Sequence, residues 1–147
     1  MYLGYQNGKI KFYTEQPLDQ AFYNLDKVEE TQDEYVLDGE EYVLKDEAWE
    51  EEQAQKERER IARLNLTGAD VERGIYKAKG MDFNDILTYV TQLQPEGLDI
   101  KALGIELKAN NFYRGNPYVD AVGSLLGFTS EQLDKFFETN DYTDLLA

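Results

Sequence analysis

Asp46-Glu-Ala-Trp-Glu-Glu-Glu-Gln-Ala-Gln-Lys-Glu-Arg-Glu-Arg-Ile-Ala-Arg-Leu-Asn-Leu66 reads as one long helix, and the rest of the chain sorts itself around it. Asp46 is placed to cap the first turn, the interior is Glu, Gln, Lys, Arg and Ala, and no Gly or Pro intervenes before Gly68. Glu47, Glu50, Glu51 and Glu52 stand at the amino end and Lys56, Arg58, Arg60 and Arg63 towards the carboxyl end, the order that the helix dipole favours. The segment is poorly amphipathic. Between Glu50 and Arg60 the only apolar residue is Ala54, whereas Trp49 at one end and Ile61, Leu64 and Leu66 at the other are suited to a core. The pairs Glu52 with Lys56 and Glu59 with Arg63 contribute roughly 0.2–0.5 kcal/mol each, so the middle can stand in water. Two readings of it stay open: a rigid connector, or a surface along which copies of the chain pair loosely, with Ala54 and Ile61 a heptad apart.

On the amino-terminal side of this helix the chain alternates as strands do. Tyr2-Leu-Gly-Tyr5 and Lys9-Ile-Lys-Phe-Tyr13 flank Asn7-Gly8, the strongest short hairpin signal. A weaker run, Ala21-Phe-Tyr-Asn-Leu25, leads into Lys27-Val-Glu-Glu-Thr31, and Tyr35-Val-Leu and Tyr42-Val-Leu form near-duplicate arms around Asp38-Gly39. Four to five strands in residues 1–45 predict a small antiparallel meander. Its apolar face needs a cover, either Trp49 with the first helical turns or a neighbouring chain.

On the carboxyl-terminal side the pattern is helical. Thr67 caps a helix that Gly80 stops; Asp82 opens another with Phe83, Ile86, Leu87, Val90 and Leu93 on one stripe. Leu98 to Leu107 is read as a helix despite Gly104. Asn116-Pro117 opens the next, and Thr129-Ser-Glu-Gln132 is a capping box before Leu133, Phe136 and Phe137. Residues 140–147 read as an acidic tail. The expected class is therefore α+β: an antiparallel β subdomain over 1–45, a connecting helix over 46–66 and a bundle of short helices over 67–147.

Composition removes several chemistries. The 147 residues hold no Cys and no His, so disulfides, soft metal sites, imidazole ligands and His-dependent nucleophilic catalysis are out of reach. With 15 basic and 30 acidic residues the net charge is -15, which repels nucleic acid and anionic membrane. No signal peptide and no stretch long enough to span a bilayer is readable, so the expected place of synthesis is the cytoplasm. Glu40, Glu41, Asp46, Glu47, Glu50, Glu51 and Glu52 are the densest carboxylates, but they lack the spacing of a calcium loop and are read as the solvated start of a helix. Neither dinucleotide nor phosphate-loop glycine pattern occurs, and no metal, cofactor or catalytic residue is expected. Leu125 to Leu133 has the outline of a helix-turn-helix, yet residues 116–147 supply only Lys135 as a phosphate contact, so it is read as a packing corner.

Tyrosines crowd the strand-like part. Tyr2, Tyr5, Tyr13, Tyr23, Tyr35 and Tyr42 offer rigid amphipathic area, either as strand filling or as a protein-binding face. Tyr5, Phe12, Tyr13, Tyr35, Tyr42 and Trp49 are the candidate partner-contact residues, because aromatic anchors dominate binding energy.

The opening Tyr2-Leu-Gly-Tyr and Lys9-Ile-Lys-Phe-Tyr-Thr-Glu15, the Asp33-Glu-Tyr-Val-Leu-Asp-Gly-Glu-Glu-Tyr-Val-Leu44 hairpin, Gln55-Lys-Glu-Arg-Glu-Arg-Ile-Ala-Arg-Leu64, and Asn116-Pro117 with Leu126-Gly-Phe-Thr-Ser-Glu-Gln-Leu-Asp134 together resemble small proteins of the tail module of long-tailed bacteriophages and prophages of Gram-positive bacteria. A sheet followed by a charged helix is also similar in outline to tail-fibre assembly chaperones. The resemblance implies a non-enzymatic virion tail component or assembly helper that works by contact with tail, baseplate or fibre proteins, with self-association open, made in the host cytoplasm and carried into the tail. It assigns no functional residue. A second expectation is an acidic decoy for a basic, nucleic-acid-binding host defence protein. Residues 26–52 motivate it, carrying thirteen acidic side chains against Lys27 and Lys45.

Overall fold

Asn7 and Gly8 both take positive φ, 54° and 76°, in the computed structural model, which describes residues 1–146. A two-residue hairpin turn of the favoured hand needs this, and it joins β1 (Tyr2–Gln6) to β2 (Lys9–Thr14). β3 (Lys27–Glu30) pairs antiparallel with the other edge of β1, so the order is β2-β1-β3 with the first strand in the middle. β4 (Tyr35–Asp38) and β5 (Glu41–Leu44) pair with each other around Gly39, whose φ is 66°. The class is α+β as expected, with antiparallel strands first and helices after. The strands form a three-stranded sheet and a separate two-stranded ribbon, where a single meander in chain order was expected.

The difference originates in residues 19–25, which turn where the sequence suggested a strand. The Asp19 Oδ1 accepts the backbone N–H groups of Ala21 and Phe22 at 3.1 Å each, Leu25 N donates to Gln20 O at 2.9 Å, and Asn24 sits at φ 54°. Short polar side chains compete for the backbone in this way, and Asn tolerates the left-handed region. The turn lets the chain run from β2 to the far edge of β1 over the face that carries Gly4. A Cβ at Gly4 would meet the Cδ1 atoms of Leu18 and Leu25 at 3.0 Å. The connecting segment therefore covers this face with its own leucines.

α1 (Glu47–Ala62) is capped as predicted: Trp49 N donates to Asp46 Oδ1 at 2.9 Å. None of its residues is buried, in keeping with a solvated middle. The chain divides into two compact units, residues 1–56 and 57–147, and the division falls within this helix. The helix ends four residues before Leu66, because Asn65–Thr67 (β6) leaves it to pair with Asn111–Tyr113 (β7). Arg114 N donates to Leu64 O at 2.7 Å and Gly115 N to Ala62 O at 3.1 Å, so the last turn is tied by strand-like bonds that cap it.

In the second unit α2 (Gly68–Lys79) begins at Thr67 and stops at Gly80, φ 72°; α3 (Phe83–Leu93) has a reciprocal Asp82–Asp85 capping box. α4 (Ile100–Glu106) forms despite Gly104, α5 (Pro117–Leu125) opens with the Asn116 cap, and α6 (Ser130–Thr139) with the Thr129–Gln132 box. Leu66, Val71, Ile86, Val90, Leu103, Phe112, Leu133 and Phe136 meet in one core. The expected acidic tail instead includes a 3-10 turn, Tyr142–Leu145, that buries Leu145 in this core. Arg114, 5% exposed, donates to Asp134 Oδ1 at 2.7 Å and Ser130 Oγ at 2.9 Å and pairs with Asp120 Oδ1 at 2.9 Å, joining β7 to α5 and α6. No helix among the described residues is long and apolar enough to cross a membrane.

Candidate protein-contact site

All six predicted contact residues lie in the first unit, and all are half-buried. Three of them meet. Tyr13, opposite Leu3 in the β1–β2 register, has its ring 5.6 Å from that of Tyr35 and 5.9 Å from that of Tyr42. Tyr35, Leu37, Tyr42 and Leu44 share one face of the ribbon, since Tyr35 pairs with Leu44 and Leu37 with Tyr42. The Tyr13 hydroxyl donates to Asp33 O at 3.0 Å and Lys11 Nζ to Glu40 O at 2.9 Å, so the ribbon is fastened to β2. These tyrosines glue the ribbon to the sheet, while Leu18 and Leu25 lie over Gly4.

Tyr5 stands apart. Its hydroxyl donates to Glu29 Oε2 at 2.9 Å, and Lys27 Nζ lies 4.5 Å from its ring centre. Burial, and after it the Glu29 carboxylate, push the Tyr5 hydroxyl above its usual range; the same hydrogen bond, with Lys27 beside it, holds Glu29 below the usual carboxylate range. Trp49 has a wholly buried Nε1 with no hydrogen-bond partner, the only such side-chain atom among the described residues.

Phe12 leads to a surface of which the sequence singled out Phe12 and Tyr23 but neither Phe22 nor the turn that carries it. Its ring is 5.2 Å from that of Tyr23, which in turn is 4.8 Å edge-on from Phe22. Phe22 is 78% exposed and Tyr23 41%. The three rings form a ledge, Phe12 from β2 and the other two from the 19–25 turn; Leu18, buried Leu25 and Phe12 converge over Gly4, and Gln6 Nε2 donates to Tyr23 O at 3.0 Å. Phe22 is thus a large aromatic held out of the core on a braced turn, which makes the ledge a candidate for protein contact. One signal for it was present: Asp19 and Asn24 bracket the run Gln20-Ala-Phe-Tyr and mark it as a turn.

A second candidate is internal. The helical unit holds an apolar cavity of about 50 Å³ lined by Val71, Phe83, Ile86, Leu103, Phe112 and Phe136 among others. Ligand pockets run to several hundred Å³, so this is a packing gap in the core. Glu106 is its one charged lining residue and accepts from Asn116 Nδ2 at 3.3 Å. The carboxylates elsewhere that are displaced from their usual range, Glu57, Asp70 and Asp141, are all held low by hydrogen bonds from Arg60, Thr67 and Thr143 respectively, which suits structural acceptors better than proton donors.

No family model, no curated protein and no solved structure matches the chain.

Proposed function

We propose that this chain is a non-enzymatic protein of a bacteriophage tail, a virion component or an assembly helper, that works by protein-protein contact through the aromatic ledge of its first unit. The observation that carries the contact reading is Phe22, presented at 78% exposure on a turn whose backbone is closed by Asp19 and whose base is packed on Gly4. Ordering costs at an interface fall when the anchor is already rigid, and aromatic anchors dominate binding energy. The tail setting is supported by the sequence resemblance to tail-module proteins. An antibody against the chain, applied to purified phage particles and to the particle-free lysate, separates the two roles. Signal on the particles identifies a virion component, signal with unassembled tail proteins only identifies a helper, and signal with neither overturns the tail setting.

A further inference from the structure

Taking protein contact as the function, we propose that the Phe12–Phe22–Tyr23 ledge receives an arginine-bearing segment of the partner protein. The first unit is where the charge of the chain is concentrated, with fifteen acidic residues against five lysines in residues 1–56. Four of those lysines are already held by acceptors of the same unit: Lys11 by Glu40 O, Lys27 by Glu29 at 3.3 Å, Lys45 by Glu34 at 3.4 Å and Lys56 by Glu52 at 3.3 Å. Along the stretch of chain that carries the ledge the imbalance is complete. Between Phe12 and Asp26 there is no Lys or Arg, and Glu15, Asp19 and Asp26 are all exposed.

Asp19 is pinned beside Phe22 by the two backbone N–H groups that it accepts, and Asp26 is fixed likewise by Asn7 N at 2.6 Å. A pinned carboxylate beside an exposed aromatic, as Asp19 is beside Phe22, suits one side chain best. Guanidinium is planar, weakly hydrated and able to stack on a ring while it donates to a carboxylate, whereas an ammonium stays hydrated and does not stack. The acidic surroundings draw a basic segment in and exclude acidic ones.

The test is a titration of the isotope-labelled whole chain with three capped peptides, Gly-Arg-Gly-Arg-Gly, Gly-Lys-Gly-Lys-Gly and Gly-Glu-Gly-Glu-Gly, monitored by NMR. The arginine peptide is expected to shift the Phe22 and Tyr23 ring signals and the Ala21 and Phe22 amide signals saturably, the lysine peptide more weakly, and the glutamate peptide not at all. Phe22→Ala should weaken the arginine peptide roughly two- to fivefold. Asp19→Asn keeps an acceptor oxygen for the turn and should weaken it as well, with the amide signals of the remaining strands in place. Equal response to lysine and arginine, shifts spread evenly over residues 46–52, or unchanged affinity in Phe22→Ala would overturn the proposal. If Phe22→Ala loses tail proteins in a pull-down while the arginine peptide leaves the ledge unmoved, protein contact stands and the arginine chemistry falls. If the peptide binds the ledge and Phe22→Ala retains its tail proteins, the arginine chemistry stands and the tail contact falls.

Discussion

Gly74 shows how tightly single residues are specified. A Cβ there would lie 2.4 Å from Phe136 Cζ, at the most deeply buried aromatic of the core. Alanine gains about 1 kcal/mol in helix propensity, but forcing Phe136 aside costs about 1–3 kcal/mol. Gly74→Ala should therefore lower the urea midpoint, and a raised midpoint would show that the core yields. Arg114→Met should cost about 1–3 kcal/mol by leaving Asp134 without its buried partner; Asp120→Asn, at a side chain 58% exposed, should cost under about 1 kcal/mol. Both are read from urea denaturation. Residue-scale chemistry is also where sequence is most legible: Asp46, Thr67, Asp82, Asn116 and Thr129 all cap the helices that they were expected to cap, because a cap is a local bond between near neighbours. Neither Gly74 nor Arg114 could be picked out, since their partners lie far along the chain.

At the scale of elements the ribbon and the sheet are held together by Tyr13. Removing its ring should free β4 and β5 at a cost of about 1–3 kcal/mol, whereas Tyr13→Phe loses only the bond to Asp33 O, about 0.5–1.5 kcal/mol. The check is chemical-shift change in the alanine variant, confined to residues 31–45 if Tyr13 acts as this fastener and spread over β1 and β3 if it is instead part of the sheet's own core. Hairpins with Asn7-Gly8 and Asp38-Gly39 turns were readable because the turn dictates its geometry within two residues. The β6–β7 pair was not, because three-residue strands separated by several helical and loop segments carry no periodicity of their own. The ledge was missed for a related reason: Ala21-Phe-Tyr-Asn-Leu25 has strand composition, and only the hydrogen bonds of Asp19 bend it.

For the whole molecule, acid and partner are the two levers. Asp70 and Asp141 have folded values below the usual 3.8, so each adds stability above that value and loses it as the pH falls through its lower folded value. Protonation also relieves the repulsion of a net charge of -15, which works in the opposite direction. The urea midpoint should hold from pH 7 to 5 and fall below about pH 4, with a shallower acid limb in Asp141→Asn; a fall that begins between pH 7 and 5 would show that other groups govern stability. Contact through the ledge with proteins of a phage tail is put to the test by affinity capture of the tagged chain and of its Phe22→Ala variant from a phage-producing lysate, with mass spectrometry of the bound proteins and circular dichroism of both baits. Tail, baseplate or fibre proteins are expected on the parent chain and their loss from an equally helical variant. Retention of those proteins by Phe22→Ala, or recovery of a basic nucleic-acid-binding host protein in their place, would contradict it.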